Sequence, residues 1–597
     1  MLTRIQSRPG LAALAAAALL SVALPAGTAF AQKVKNKTTT ETTAPSANEI
    51  SVDIPTIETV DSSLDEGTLR EIFSGEILSN AADLAALDAT SITIPEITVT
   101  VDTVVDDEPV SFTTTYTDIV LTDVVDGVAG SVAVAGASAD SGDMGSFEMG
   151  SLTGSDFNIA ALLAFYGAVE SGSSEMQTIY SELSFDGATF AAEDVTCEIG
   201  AVSAGEFRAR PLSFNMLELV ALAETMEEAG EEVPPELMGQ FLRMYAELFT
   251  AFESDAYQFD GFSCDGVDEE DRPINVAIGS MSIGEMQPGT YPAILVDGIE
   301  IAVEDDGYIS LGNFTFKVMD LSAPLAALAS IPDIVDEAWF TENARALIPA
   351  FEGFSFSDVA VDVPDPDVEG ARIVASLGAF DLSLGEYFNG VPTDVSTTVE
   401  NLVFDLPQNS EDEQVQQLLA LGITSVDTGF RLAASWNEDE QTIAIDEVSV
   451  SAADLASVVL SGVIANATEA LFAVDENEAL AASMQVAINE LNLDVTDFGL
   501  SDIIMEQVAA EQGADAATLR PVFAGLAEGT VIGLLAGAAE AQNVGSAISD
   551  FVSGDATNLT INMTAKKNPG LGLADFVAAE EDPSVLIGKV NIQATAE

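Results

Sequence analysis

Histidine is missing from all 597 residues of the chain. That absence removes the usual general base, the Ser-His-Asp and Cys-His pairings and the commonest metal ligand. Hydrolysis by paired carboxylates and Ser-Lys chemistry survive it. Tryptophan is almost absent too, at Trp339 and Trp436. Carbohydrate clefts want exposed aromatics, so a carboxylate-based carbohydrate hydrolase is only a distant alternative. Nothing in the sequence selects its two acids among so many. Basic residues are scarce: 18 Lys and Arg stand against 99 Asp and Glu, a net charge of −81. Nucleic acid and anionic headgroups would be repelled. The acidity reads as a solvated coat, suited to salty surroundings where screening is strong.

Long apolar runs are also lacking beyond the N-terminus. Leu11 to Leu24 follows Arg4 and Arg8 and precedes Ala29-Phe30-Ala31, an A-x-A cleavage signal, so residues 1–31 read as a secretory signal peptide. After it no run approaches the ~20 apolar residues of a membrane helix, and Val531 to Ala539 reads as a buried helix. The expectation is an exported protein, and not an integral membrane protein. Nor does a phosphate-cradling loop occur: the glycines of "GVAGSVAVAGASADSG" have no Lys beside them.

What is present is apolar and periodic. Hydrophobic residues make up 48% of the chain, too many for a disordered acidic polymer, so the charges must coat a core. Residues 32–50 are polar and Thr-rich and read as a disordered tether. Residues 51–155 are β-rich: "SITIPEITVTVDTV" alternates β-branched and polar residues, as a strand with one wet face does. Residues 156–410 carry an imperfect repeat of strand, helical pair and strand. Its copies begin at Asp156-Phe157-Asn158, Asn215 and Asp320-Leu321-Ser322, where Asp and Asn are natural helix N-caps. Each copy returns to strand through one phrase of Phe, acid and Gly, at Phe185-Asp186-Gly187, Phe259-Asp260-Gly261 and Phe351-Glu352-Gly353. Glycine there predicts a bulge or a close backbone approach. The uneven spacing points to divergent duplication rather than a solenoid.

Residues 411–597 form a C-terminal α+β region. "GFRLAASWNEDEQTIAIDEVSV" reads as a hairpin turning at Asn437 to Glu440, after which Asp454 is expected to cap a helix. The order "WNEDEQTIAIDEVSVSAADLASVVLSG", "VTDFGLSDIIMEQVAAEQG", "TNLTINMTAKKNPGLGLADF", over residues 420–597, resembles a group of exported alphaproteobacterial proteins of unknown function. The resemblance implies a Gram-negative periplasmic setting, with passage to the outside left open, and carries no catalytic residue across.

Cys197 and Cys264 are the chain's two cysteines. Within the repeated phrase, Cys264 stands where the other copies have Phe190 and Phe356, so it occupies an apolar packing position. A catalytic thiolate would want a base that the chain lacks. An even count in an oxidising compartment, on expected neighbouring strands, predicts a Cys197–Cys264 disulfide; two separate buried thiols are the alternative. Acidic clusters at Asp365, Asp367 and Glu369, at 267–273 and at 474–478 match no calcium loop and read as solvated turns. The helical stretches "AALLAF", "LELVALAE" and "APLAALA" either line an apolar groove beside a sheet or, as apolar stripes ordinarily do, pack into its core.

The expected fold is α+β: large, mainly antiparallel sheets with inserted amphipathic helical pairs, imperfectly repeated and elongated. No catalytic, cofactor or metal-binding residue is assigned. The expected role is that of a non-catalytic envelope protein with a structural or interaction function. The alternative is a periplasmic carrier holding a lipid or other apolar ligand between sheet and helices. A lipid or an envelope protein is the open partner class, and the oligomeric state is not specified.

Overall fold

The computed structural model describes residues 49–597 apart from 106–107, 141–144, 171–172, 193, 230–232, 269–271, 305, 367–369, 409, 411, 536–537, 539 and 582–583. The signal-peptide reading and the tether up to residue 48 lie outside the described residues. Glu49 and Ile50, read above as the end of the tether, instead open the strand Glu49–Asp53, which pairs with Ala89–Val105. Strand outweighs helix, at 47% against 27%, and the strands are mostly antiparallel, an α+β fold. The described residues form two compact units, one of 49–304 with 319–343, the other of 306–318 with 344–597.

In the first unit the alternating run Ala89–Val105 pairs with Glu108–Val125, which pairs with Val128–Asp140. The helix Glu66–Phe73 begins where Asp65 accepts from the Thr68 N–H. It sends Leu69 and Ile72 onto Ile92, Ile94, Leu121 and Val124, which are buried with them. Burying each such side chain contributes about 1.5–3 kcal/mol. This end of the unit has a conventional core.

The helical insertions follow the sequence reading with one correction. The first insertion holds a single helix of this kind, Ile159–Phe165, rather than a pair, with Asn158 capping the Ala161 N–H. The chain then returns through the strands Gln177–Tyr180 and Glu182–Phe185. The second is a true pair, Met216–Ala229 and Pro235–Leu248, joined by buried Leu219, Leu222 and Met244. The third is Ser322–Ala329 with Glu337–Asn343, entered where Asp320 accepts from the Ser322 N–H. Its helices group with the first unit, whereas Phe351 belongs to the second.

The second unit is an antiparallel meander whose strand order follows the sequence. Its strands are Gly307–Phe316, Gly353–Pro364, Arg372–Phe388, Val391–Asp405, Ser425–Asn437, Thr442–Ala452, Ala456–Ala465, Ala487–Asp497, Asn558–Ala565 and Val590–Ala596. Asp454 caps no helix. It sits at φ 59° in the turn between Thr442–Ala452 and Ala456–Ala465, because "ASVVLSGVIA" is rich in β-branched residues and pairs along its whole length. The helices Leu500–Gln512, Ala516–Leu534 and Ala541–Ser553 follow, the first and last ending at left-handed Gly513 and Gly554.

In the second unit the register shifts at Val399/Leu402, Ala433/Ala434, Ile445/Val448 and Val463/Ile464, and elsewhere left-handed acids interrupt the pairing without shifting it. The non-glycine residues at positive φ include Asp118, Asp123, Asp156, Asp358 and Asn401, all within strands. Asp and Asn tolerate this left-handed conformation better than other side chains. Glycine faces them: a Cβ on Gly312 would meet that of Asp358, and one on Gly378 would meet that of Asn401. The three phrase glycines are a second set. Gly187, Gly261 and Gly353 have φ of 96°, 94° and 112°. A Cβ there would strike the carbonyl oxygens of Ile199, Gly279 and Leu382 respectively. Replacing any one by Ala should therefore destabilise its unit by about 2 kcal/mol or more, from backbone strain and collision together. Gly572→Ala, with open space around it, is the control. Urea unfolding midpoints check the contrast, and equal midpoints for Gly261→Ala and Gly572→Ala would refute it.

Candidate functional site

Strand side chains alternate between faces, so cross-strand partners share a face. In the second unit one face carries an unbroken apolar row: Phe314, Phe356, Phe380, Val399, Phe430, Val450, Val458, Val495, Leu559 and Ala596 are successive partners. Beside it run Phe316, Phe354, Leu382, Thr397, Leu432, Val448, Leu460, Leu493, Ile561 and Ala594 in the same way. The row between them belongs to the other face and is polar, with Thr315, Ser355, Asp381, Thr398, Arg431, Ser449, Val459, Asp494, Thr560 and Thr595. At about 4.8 Å per strand the apolar rows extend on the order of 40 Å across the sheet.

That apolar face is incompletely buried. Between Ala344 and Asn466, Leu406 is the one large apolar residue that is buried among the described residues. The ring row is half-buried, and Val450 and Val458 are 55% and 41% exposed. Phe354, Phe356 and Phe380 shield one another by stacking, with centroids 4.9–6.4 Å apart. Only the margins are closed. The helix Ala541–Ser553 packs on Asn558–Ala565 and Val590–Ala596, where Leu559 and Val590 are buried. Elsewhere Phe472 packs on Phe388 and Trp436, whose indole N–H donates to the Ala467 carbonyl at 2.7 Å.

The first unit repeats this two-faced design. Ile97, Tyr116, Ala137, Met149, Ala188, Ile199, Phe262, Ile278 and Ile299 are successive partners. Phe185 and Phe259 fall in another apolar row, Leu152, Phe185, Val202, Phe259, Met281, Val296. Phe351, the third phrase residue, stacks on Phe316 at 4.7 Å in the second unit.

The cysteines lie in an apolar row as well. Phe147, Phe190, Cys197, Cys264, Val276 and Ile301 are successive partners, so Phe190 and Cys264 share a face, and Phe356 holds an equivalent place in the second unit. The two sulfurs face each other across antiparallel strands at disulfide distance, 1.97 Å. The pair sits among packing residues with no base beside it. Closing a loop with a sequence separation of 67 should stabilise the unit by about 4 kcal/mol in the chain-entropy model. The Cys197→Ala/Cys264→Ala variant should unfold at correspondingly lower urea. Thiol labelling of the denatured protein, purified without reductant, should find no free thiol, and two labels would refute the bond.

The remaining singled-out residues serve structure. The 267–273 cluster is partly neutralised, Asp268 pairing with Arg272 at 2.7 Å; its residues 269–271, and Asp367 and Glu369, lie outside the described residues. Asp475 of the 474–478 cluster caps the helix Glu476–Ser483 through the Glu478 N–H. Among the described residues no group of three or more potential metal ligands converges. The "AALLAF" helix divides its faces. Leu163 and Phe165 enter cores, while Ala160 and Ala164 border an open cleft of about 560 Å³ with Glu170 on its wall.

On the polar face, Lys317 Nζ bonds Asp381 Oδ2 and Ser383 Oγ, each at 2.6 Å. Partial burial pushes the Asp381 carboxyl up, but the bonds from Lys317 and Ser383 outweigh it and hold the group below its ordinary value. A depressed folded pKa stabilises above the unfolded value of about 3.9 and is lost as pH falls through the folded one. Lys317→Met should therefore lower the unfolding midpoint at pH 7 and lose that effect at the acid end; an equal deficit at both would contradict the pairing. Among the described residues, the carboxyls with a clear shift, Asp381, Asp497 and Asp575, are all held down; a general acid needs the reverse.

Among the described residues no helix is long and apolar enough to cross a membrane. No curated protein and no solved structure matches the sequence. A family described as "Uncharacterized protein" matches residues 449–597, a stretch that begins in the strand Thr442–Ala452 and takes in the helices and last strands of the second unit.

Proposed function

We propose that this is an exported, non-catalytic periplasmic protein that holds an apolar chain, of lipid or similar amphiphile, against the apolar face of its sheet. The half-exposed row from Phe314 to Val495 carries this reading. A soluble sheet ordinarily covers its apolar face, and a large uncovered patch marks a binding surface. The absence of histidine supports a non-catalytic role, and the disulfide-distance pair supports an oxidising compartment. The ligand surface is the sheet itself; most large apolar residues of the inserted helices are consumed in packing.

Purified protein should co-purify with extractable lipid. After delipidation it should take up the uncharged fluorophore N-phenyl-1-naphthylamine with a blue shift. Val450→Asp, at an exposed point of the row, should weaken uptake by about tenfold, because a charge set beside an apolar ligand is left unpaired. Ser449→Asp, one residue away on the polar face, should not. No uptake by the wild type, or equal loss in both variants, would end the proposal.

A further inference from the structure

We infer that the occupant of this face is a long-chain amphiphile whose head carries positive charge or none, and that anionic amphiphiles are excluded; the inference rests on the apolar-face reading above. Selection comes from what borders the rows. In residues 307–318 and 344–465 there are four Lys and Arg, namely Lys317, Arg345, Arg372 and Arg431, against 21 Asp and Glu. Three of the four are already neutralised: Lys317 by Asp381 at 2.6 Å, Arg372 by Asp362 at 2.5 Å and Arg431 by Glu447 at 3.3 Å. Lys317 and Arg431 are moreover tied to polar-face partners, since Asp381 and Arg431 stand in the polar row.

The apolar rows themselves contain no carboxylate, so an alkyl chain meets no charge along them. The carboxylates begin where the rows stop. Trp436, Ile443 and Ile464 are successive partners at one end of the face, and the turn just beyond Trp436 reads Glu438-Asp439-Glu440, all exposed. A head emerging past this end, where Phe472 covers Trp436, meets the negative potential of these three acids, against Arg345 as the one cation of the stretch without an ion pair among the described residues. At low ionic strength that potential reaches ~30 Å, and at 1 M salt ~3 Å. A carboxylate or phosphate head is repelled by it, a neutral head is indifferent, and an ammonium head is attracted.

The test is displacement of N-phenyl-1-naphthylamine from the delipidated full chain by three ten-carbon competitors: decyltrimethylammonium, decanol and decanoate. At about 10 mM salt the ammonium should displace at the lowest concentration and decanoate at the highest, about tenfold apart or more. At about 1 M salt the gap should close. Reversing the turn by Glu438→Lys/Asp439→Lys/Glu440→Lys should improve decanoate and leave decanol unchanged. Decanoate matching decanol at low salt, or an ordering that salt does not move, overturns the charge selection while leaving the apolar site intact. Failure of the probe to bind at all removes both.

Discussion

The structure depends on one geometric constraint: side chains of a strand alternate between faces, and here the alternation is kept in register from strand to strand. From Phe314 to Ala596 each step across the second unit lands apolar beside apolar. One residue away, from Thr315 to Thr595, the steps are almost all polar. A slip of a single residue in any strand would turn its Phe, Val and Leu to the wet face and its Asp and Thr to the other. Register is therefore enforced by every apolar row at once.

Bulges serve that constraint rather than break it. A long twisted strand cannot stay in phase with its neighbours without occasional extra residues. Near Asn401, left-handed and opposite Gly378, the register to the next strand shifts beside Gly429, whereas Asp358, also left-handed and opposite Gly312, leaves the register unchanged. After the bulge the faces are restored, since Leu311, Val359, Leu377 and Leu402 again pair in sequence on successive strands. Part of the chain's abundance of Asp is thus conformational. The rest wets the turns and the polar face, so one composition both shapes and solubilises the sheets.

The proposed function rests on an asymmetry in how the apolar faces are finished. The N-terminal part of the first unit closes its face with helices and buries Leu69, Ile92 and Ile94 fully. Between Ala344 and Asn466 the second unit leaves most of its face half-open, with near-parallel rings stacked along the sheet. The same residue chemistry that makes a core in one place leaves a half-open face in the other. The difference is whether a helix is supplied to cover it.

The sequence alone determined the face alternation of strands such as Ala89–Val105 and the close backbone approach at three glycines, because period-two patterning and glycine's conformational freedom are local properties. It also placed Cys264 among packing residues, since Phe fills the matching position in the phrase. It misread Asp454 as a helix cap and the first insertion as a pair, because a β-branched run such as "ASVVLSGVIA" is settled by its partners rather than by its own signals. Only the tertiary structure decided which rows line up, since pairing joins residues as distant as Val495 and Leu559. It also decided which apolar face stays uncovered, because whether a helix packs on a sheet is a property of the assembled chain, written in no single segment of it.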